Sequence, residues 1–216
     1  MKKMYKAMLL VLCAVLLVAG SVMGTLAYLK ATTGPVTNTF TVGKVNITLD
    51  ETDVDAAGSP IPSASPVKEN EYKLYPGSEY VKDPKIHVAA DSEDCWVFIK
   101  LENGLKGIES ATRAESDGVA GYNCIEDQIL NNDWKLIDAT NNIYAFKYVQ
   151  SKGATVATFT NFEIDSAVTN EKLAQYKDAK VKVTAYAIQA ANFDTPEAAW
   201  TANGGLTGSF STDSAD

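Results

Sequence analysis

Asn38-Thr39-Phe40-Thr41-Val42-Gly43-Lys44-Val45-Asn46-Ile47-Thr48-Leu49 is the stretch on which the fold class turns. Apolar and polar residues alternate along it with the two-residue period of a half-buried β-strand. Phe40 and Val42 fall on even positions, whereas Val45, Ile47 and Leu49 fall on odd ones. A bulge at Gly43 would keep all five side chains on one face. So apolar a strand needs partner strands, because an isolated strand or hairpin is barely stable in water. A mainly β protein is therefore expected.

Upstream of this strand lies an export signal. Lys2, Lys3 and Lys6 form a positive tip, and residues 7–29 carry no charge. Thr25 and Ala27 stand at the −3 and −1 positions of a small-x-small cleavage site, so Ala27 is expected to end the signal and Tyr28 to begin the mature chain. The alternative is an uncleaved anchor, since 23 uncharged residues reach across a bilayer at ~1.5 Å per residue. Gly20, Ser21, Gly24 and Thr25 dilute the apolar run and favour cleavage. On either reading the rest of the chain is secreted or extracellular, and it meets the membrane only through the signal segment.

Removing residues 1–27 takes away three lysines and no acid, so the net charge moves from −8 to −11. Such a surface repels nucleic acid and anionic lipid, which excludes nucleic-acid partners. Cys13 lies within the signal, leaving Cys95 and Cys124 as an even pair in an oxidising compartment. They are candidates for a disulfide. Two buried free thiols are the alternative.

Downstream, residues 52–71 contain Pro60, Pro62 and Pro66 and read as a loop. Tyr75-Pro76-Gly77-Ser78 has the Pro and Gly placement of a type II turn. An extended run carrying Pro84 follows over residues 80–88. Residues 95–101 read Cys-Trp-Val-Phe-Ile-Lys-Leu and are expected to form the central strand. Residues 126–131 suggest a short helix. Strand-like alternation resumes at 134–137, 143–149, 155–164 and 180–190, with Asn141-Asn142 as a hairpin turn. Thr169 and Thr195 are expected helix N-caps, the second followed by Pro196, and Gly204 is a stop signal. The polar tail at 211–216 is expected to be disordered. These boundaries give a signal peptide (1–27), an N-terminal strand segment (28–51), a Pro-containing loop (52–71), a sandwich domain (72–210) and a tail (211–216). The fold expected is an antiparallel jelly-roll-like β-sandwich with a few short helices, preceded by a signal helix.

Catalytic chemistry is thinly represented, and no enzyme activity or cofactor is expected. The single histidine, His87, lies between Ile86 and Val88 without an HExxH pattern, and no serine sits in a GxSxG elbow. A solvated strand residue is the expectation for His87. Asp91-Ser92-Glu93-Asp94 lacks the Gly and Glu spacing of a calcium loop and reads as a solvated turn. Trp96, Trp134 and Trp200 each sit in apolar sequence and are expected in the core rather than on a sugar-stacking platform. No metal ligand set is assigned.

Five blocks resemble the TasA/camelysin-like secreted proteins of Gram-positive bacteria: GTLAYL at 24–29, NTFTVGKVNITLDE at 38–51, LYPGSEYVKDPKIHV at 74–88, CWVFIKLEN at 95–103 and AYAIQAANFDTPEAAW at 185–200. The resemblance implies a jelly-roll subunit, cut after Ala27 by a dedicated signal peptidase, that polymerises into fibres of the extracellular biofilm matrix. Its partners would be copies of itself or related fibre subunits. It also implies that the N-terminal segment completes the sheet of a neighbour, with Phe40, Val42, Val45, Ile47 and Leu49 as the donated face. Residues 104–178 match no motif of the family. A monomeric adhesin or carbohydrate-binding sandwich is the alternative, and a camelysin-type metal-dependent protease a more distant one.

Overall fold

The computed structural model describes residues 4–6, 8, 11–16, 44–111, 124–208 and 210–215. Two compact units divide the chain, Met1–Thr41 and Val42–Asp216. In the first, the described residues are helical. Among the described residues no helix is long and apolar enough to cross a membrane.

Among its described residues the second unit is mainly β, with three antiparallel sheets and a few short helices. Its largest sheet has five strands, built around β4 (Cys95–Asn103). β4 pairs on one side with β9 (Val181–Gln189) and on the other with β6 (Ile143–Phe146), so the most apolar run is the central strand. β5 (Trp134–Asp138) flanks β6, and β10 (Ser211–Ala215) flanks β9. A three-stranded sheet holds β1 (Ile47–Asp50), β3 (Lys85–Val88) and β7 (Thr155–Ala157) in the order β1-β3-β7. β2 (Glu79–Val81) and β8 (Asn161–Glu163) form the third sheet.

Alternation explains where the core sits. Cys95, Val97, Ile99 and Leu101 of β4 share a buried cluster with Leu49 of β1, Ile86 of β3, Tyr80 of β2 and Phe162 of β8. All three sheets thus contribute to one core. The opposite face of β4 presents Trp96 and Phe98 to a second cluster with Ala199 and Trp200 of α3 (Pro196–Ala202). Burial on both faces is why β4 reads as a continuous apolar run rather than an alternating one. β9 answers it with small residues, setting Ala187 opposite Val97 and Ala185 opposite Ile99.

Local signals account for the punctuation. Thr195 accepts a hydrogen bond from the Ala198 amide at 3.2 Å, with Pro196 in the first turn of α3. Thr169 caps α2 (Asn170–Leu173) in the same way through Lys172. Gly77 has φ +73° and the Ser78 amide donates to the Tyr75 carbonyl, as a type II turn requires. Gly58, at φ +80°, lies so close to Tyr80 that a Cβ would come within 2.7 Å of its ring. α1 (Ile125–Asn131) covers the expected short helix.

Three expectations are revised. The extended run at 80–88 is two strands in two sheets, β2 and β3, parted at Lys82-Asp83-Pro84. Likewise 155–164 splits into β7 and β8, because Thr158 and Phe159 turn inward between them and are fully buried. The tail is also ordered: residues 211–215 are β10, paired along their length with β9. Ser211, Asp213 and Ala215 stand opposite Ala187, Ala185 and Val183, and polar side chains on this inward face find partners on β1.

Candidate functional site

β1 holds the described part of the N-terminal strand. Ile47 and Leu49 are buried in their own chain, and half-buried Val45 packs against the same core. One edge of β1 pairs with β3 in register Ile47↔Val88 to Asp50↔Lys85. Along the other edge, the Ile47 amide donates to Ser211 Oγ at 3.3 Å and the Leu49 amide to Asp213 Oδ2 at 2.9 Å. Side chains of β10 thus occupy positions that another strand would need for pairing. Lys68 pairs with Asp213. Burial alone would raise the Asp213 pKa, but bonds from Lys68 and from the Leu49 and Ser214 amides outweigh it and hold it below the ordinary carboxylate value. Ile47 and Leu49 are consequently not free for donation without leaving their own core. Ala27, Tyr28, Phe40, Val42 and the Gly43 bulge lie outside the described residues.

Beside this region runs a groove of about 900 Å³. Tyr72, Leu74, Leu105, Phe162, Leu173 and Tyr176 make its apolar lining, with Glu69, Glu71, Lys73, Lys177 and Asp178 among its charged residues. One wall, residues 69–75, has no helical or strand assignment and belongs to none of the three sheets. Even so, Asn70, Tyr72 and Leu74 are half-buried while Glu69, Glu71, Lys73 and Tyr75 are exposed. This is the burial pattern of a strand, and part of its main chain is already bonded: the Lys73 amide donates to the Ala56 carbonyl, the Tyr75 amide to the Tyr80 hydroxyl, and that hydroxyl to the Lys73 carbonyl.

Asn70 and Lys82, both groove residues, belong to a polar cluster. Lys82 Nζ lies 2.9 Å from Glu51 Oε2, the two side chains being 2% and 0% exposed. Asn70 Nδ2 donates to Glu51 Oε1 at 2.8 Å and to the Thr52 carbonyl at 2.9 Å, while its Oδ1 accepts from the Val54 amide at 3.0 Å. Thr52 binds Asp83 through both amide and hydroxyl at 2.8 Å. Tyr72 covers the cluster and donates to the Val81 carbonyl. Burial, reinforced by Glu51 and Asp83, raises its phenol well above the usual value.

His87 lies in a different arrangement. Sheet pairing brings Asp50, distant in sequence, to 3.0 Å from Nε2, and Thr155 Oγ1 to 3.0 Å from Nδ1. The row crosses β1, β3 and β7. His87 is 36% exposed at its side chain, consistent with a solvated strand residue. Spacing along the sequence concealed Asp50 because strand pairing, not proximity in the chain, aligns the two. Among the described residues, no group of three or more His, Cys, Asp and Glu side chains could hold a metal ion.

The cysteines are unbridged, against the disulfide candidate. Cys95, at the start of β4, is buried, and Cys124 immediately precedes α1. Glu109 connects Ile125, next to Cys124, to Asn103 at the far end of β4. Nine residues of strand span about 26 Å, whereas a disulfide needs its Cα atoms within roughly 7 Å. The two thiols therefore lie toward opposite ends of β4. Burial, with Asp94 adding to it, pushes the Cys95 thiol up to about 11. Burial also raises that of Cys124.

Trp96 and Trp134 are buried with their indoles donating to the Phe193 and Ala157 carbonyls, and Trp200 packs against Phe98, Tyr186 and Phe210. In the acidic turn, Asp91 makes an exposed pair with Lys44 at 3.5 Å, while Ser92 is buried and accepts from the Asn46 amide. Comparison with known proteins leaves the chain without a counterpart: no family model, no curated protein and no solved structure matches it.

Proposed function

We propose that this chain is a secreted structural subunit of extracellular biofilm-matrix fibres, released by signal peptidase after Ala27 and assembled by donation of its N-terminal segment to the next copy. The five blocks resembling TasA/camelysin-like proteins support this reading, and with them a jelly-roll arrangement of the three sheets. The observation that carries it is the alternately buried wall at 69–75, which lies outside the three sheets and beside an apolar groove. A strand entering there would gain main-chain bonds from those wall residues not already bonded to Ala56 and Tyr80, and bury its apolar face on Tyr72, Leu74 and Phe162.

The donor is residues 28–43, carrying Phe40 and Val42, since Ile47 and Leu49 are already used at home. This shortens the donated face expected from sequence. Fully burying those two side chains gives a gross gain of roughly 3–6 kcal/mol, to which ladder bonds add. Donor and acceptor are different surfaces, so the contact is head-to-tail and propagates instead of closing. Electron microscopy of mature protein starting at Tyr28 should show filaments, and protein starting at Lys44 should remain folded and monomeric. Filaments formed equally well without residues 28–43 would remove the basis of the proposal.

A further inference from the structure

Lys82, Glu51 and Asn70 form more than a buried ion pair. Both carboxylate oxygens of Glu51 are used, one by the Lys82 ammonium and one by the Asn70 amide nitrogen, so a nucleophile and an acyl group meet on a single proton carrier. The orientation of Asn70 is fixed by its partners: Oδ1 faces an amide donor at Val54, and Nδ2 faces a carboxylate and the Thr52 carbonyl. Reversing the amide would set donor against donor and acceptor against acceptor. Lys82 and Glu51 are almost wholly excluded from water, so the pair lies where separated charge is costly.

We propose that Lys82 and Asn70 become joined by an intramolecular isopeptide bond, with Glu51 as the catalytic proton carrier. A proton passes from the Lys82 ammonium to Glu51, and the neutral Nζ attacks Cγ of Asn70. Charge developing on Oδ1 is met by the Val54 amide, which already points at it. Glu51 gives its proton to Nδ2 and takes one from the attacking nitrogen. The Cγ–Nδ2 bond breaks with its electron pair on nitrogen, and ammonia leaves. The products are one secondary amide, one ammonia and a protonated Glu51. No oxidant, reductant or co-reactant is consumed. Holding both groups on one carboxylate makes the step effectively unimolecular. The bond would fasten the groove wall at 69–75 to the end of β2, independently of whether the groove accepts a strand.

Mass spectrometry of the purified, denatured mature protein tests this directly. The expected mass is lower than the sequence mass by one ammonia. Tryptic digestion should release residues 69–73 joined to residues 74–85, with Lys82 uncleaved. Glu51→Gln and Asn70→Ala proteins should show their full sequence masses and only linear peptides. The wild-type measurement decides the matter even if a variant fails to fold. A wild-type chain of full mass, cleaved normally after Lys82, would overturn the proposal and leave an ion pair alone. Ammonia loss confined to an unbranched 69–73 peptide would also overturn it, because that outcome is cyclisation of Asn70 onto its own backbone.

Discussion

Asp213 shows how much a single polar residue in an unpromising tail can carry. Its carboxylate takes the amide of Leu49, a fully buried residue, and pairs with Lys68. Asp213→Ala should cost about 1–3 kcal/mol by leaving that amide unsatisfied, measured by denaturant unfolding. Because its folded-state pKa is held below the ordinary 3.8, the contribution is complete above that value and is lost as pH falls through the folded pKa. Asp83 shifts the same way: burial opposes, but bonds from Lys85 and Thr52 prevail. Stability of wild-type protein should therefore fall below about pH 4, and Asp213→Asn should flatten part of that slope. The cysteines make a second test at this scale. Thiol titration of denatured, unreduced mature protein should find both Cys95 and Cys124 free. Finding neither would require the ends of β4 to be rearranged.

The elements differ in how plainly they could be read beforehand. β4 was legible because burial on two faces leaves only Lys100 as an interruption over residues 95–101, and α3 because Thr195, Pro196 and Glu197 each serve its first turn. Thr195→Ala should lower stability by about 1 kcal/mol, and Trp200→Ala by about 3–5 kcal/mol because it empties the centre of the second core, both read by thermal unfolding. β10 was not legible. Its residues have no apolar alternation, and they are held by pairing with β9 together with side-chain bonds to a strand 164 residues away. The wall at 69–75 straddles the boundary expected between the loop (52–71) and the sandwich (72–210) and was not legible for a related reason, since its alternation of Asn70, Tyr72 and Leu74 mixes polar and apolar side chains. The Lys82–Glu51–Asn70 cluster escaped notice because none of its members stands in a recognisable motif; only folding brings them to one carboxylate.

For the whole molecule, β1 limits how the proposed assembly would use the N-terminal segment. Had the entire segment 28–49 been donated, the subunit would have to surrender Ile47 and Leu49 from its own core. Instead β1 pairs with β3 at home, so the proposed donation is confined to residues 28–43. Truncation to residue 44 should therefore leave a folded monomer, whereas truncation to residue 50 should unfold the chain, as circular dichroism would show. The central claim is tested most directly by titrating a synthetic peptide of residues 28–43 into folded protein that begins at Lys44. Saturable one-to-one binding is expected, abolished by Phe40→Asp in the peptide or Leu173→Asp in the groove. No binding by the peptide, under conditions where the mature protein forms filaments, would contradict the account.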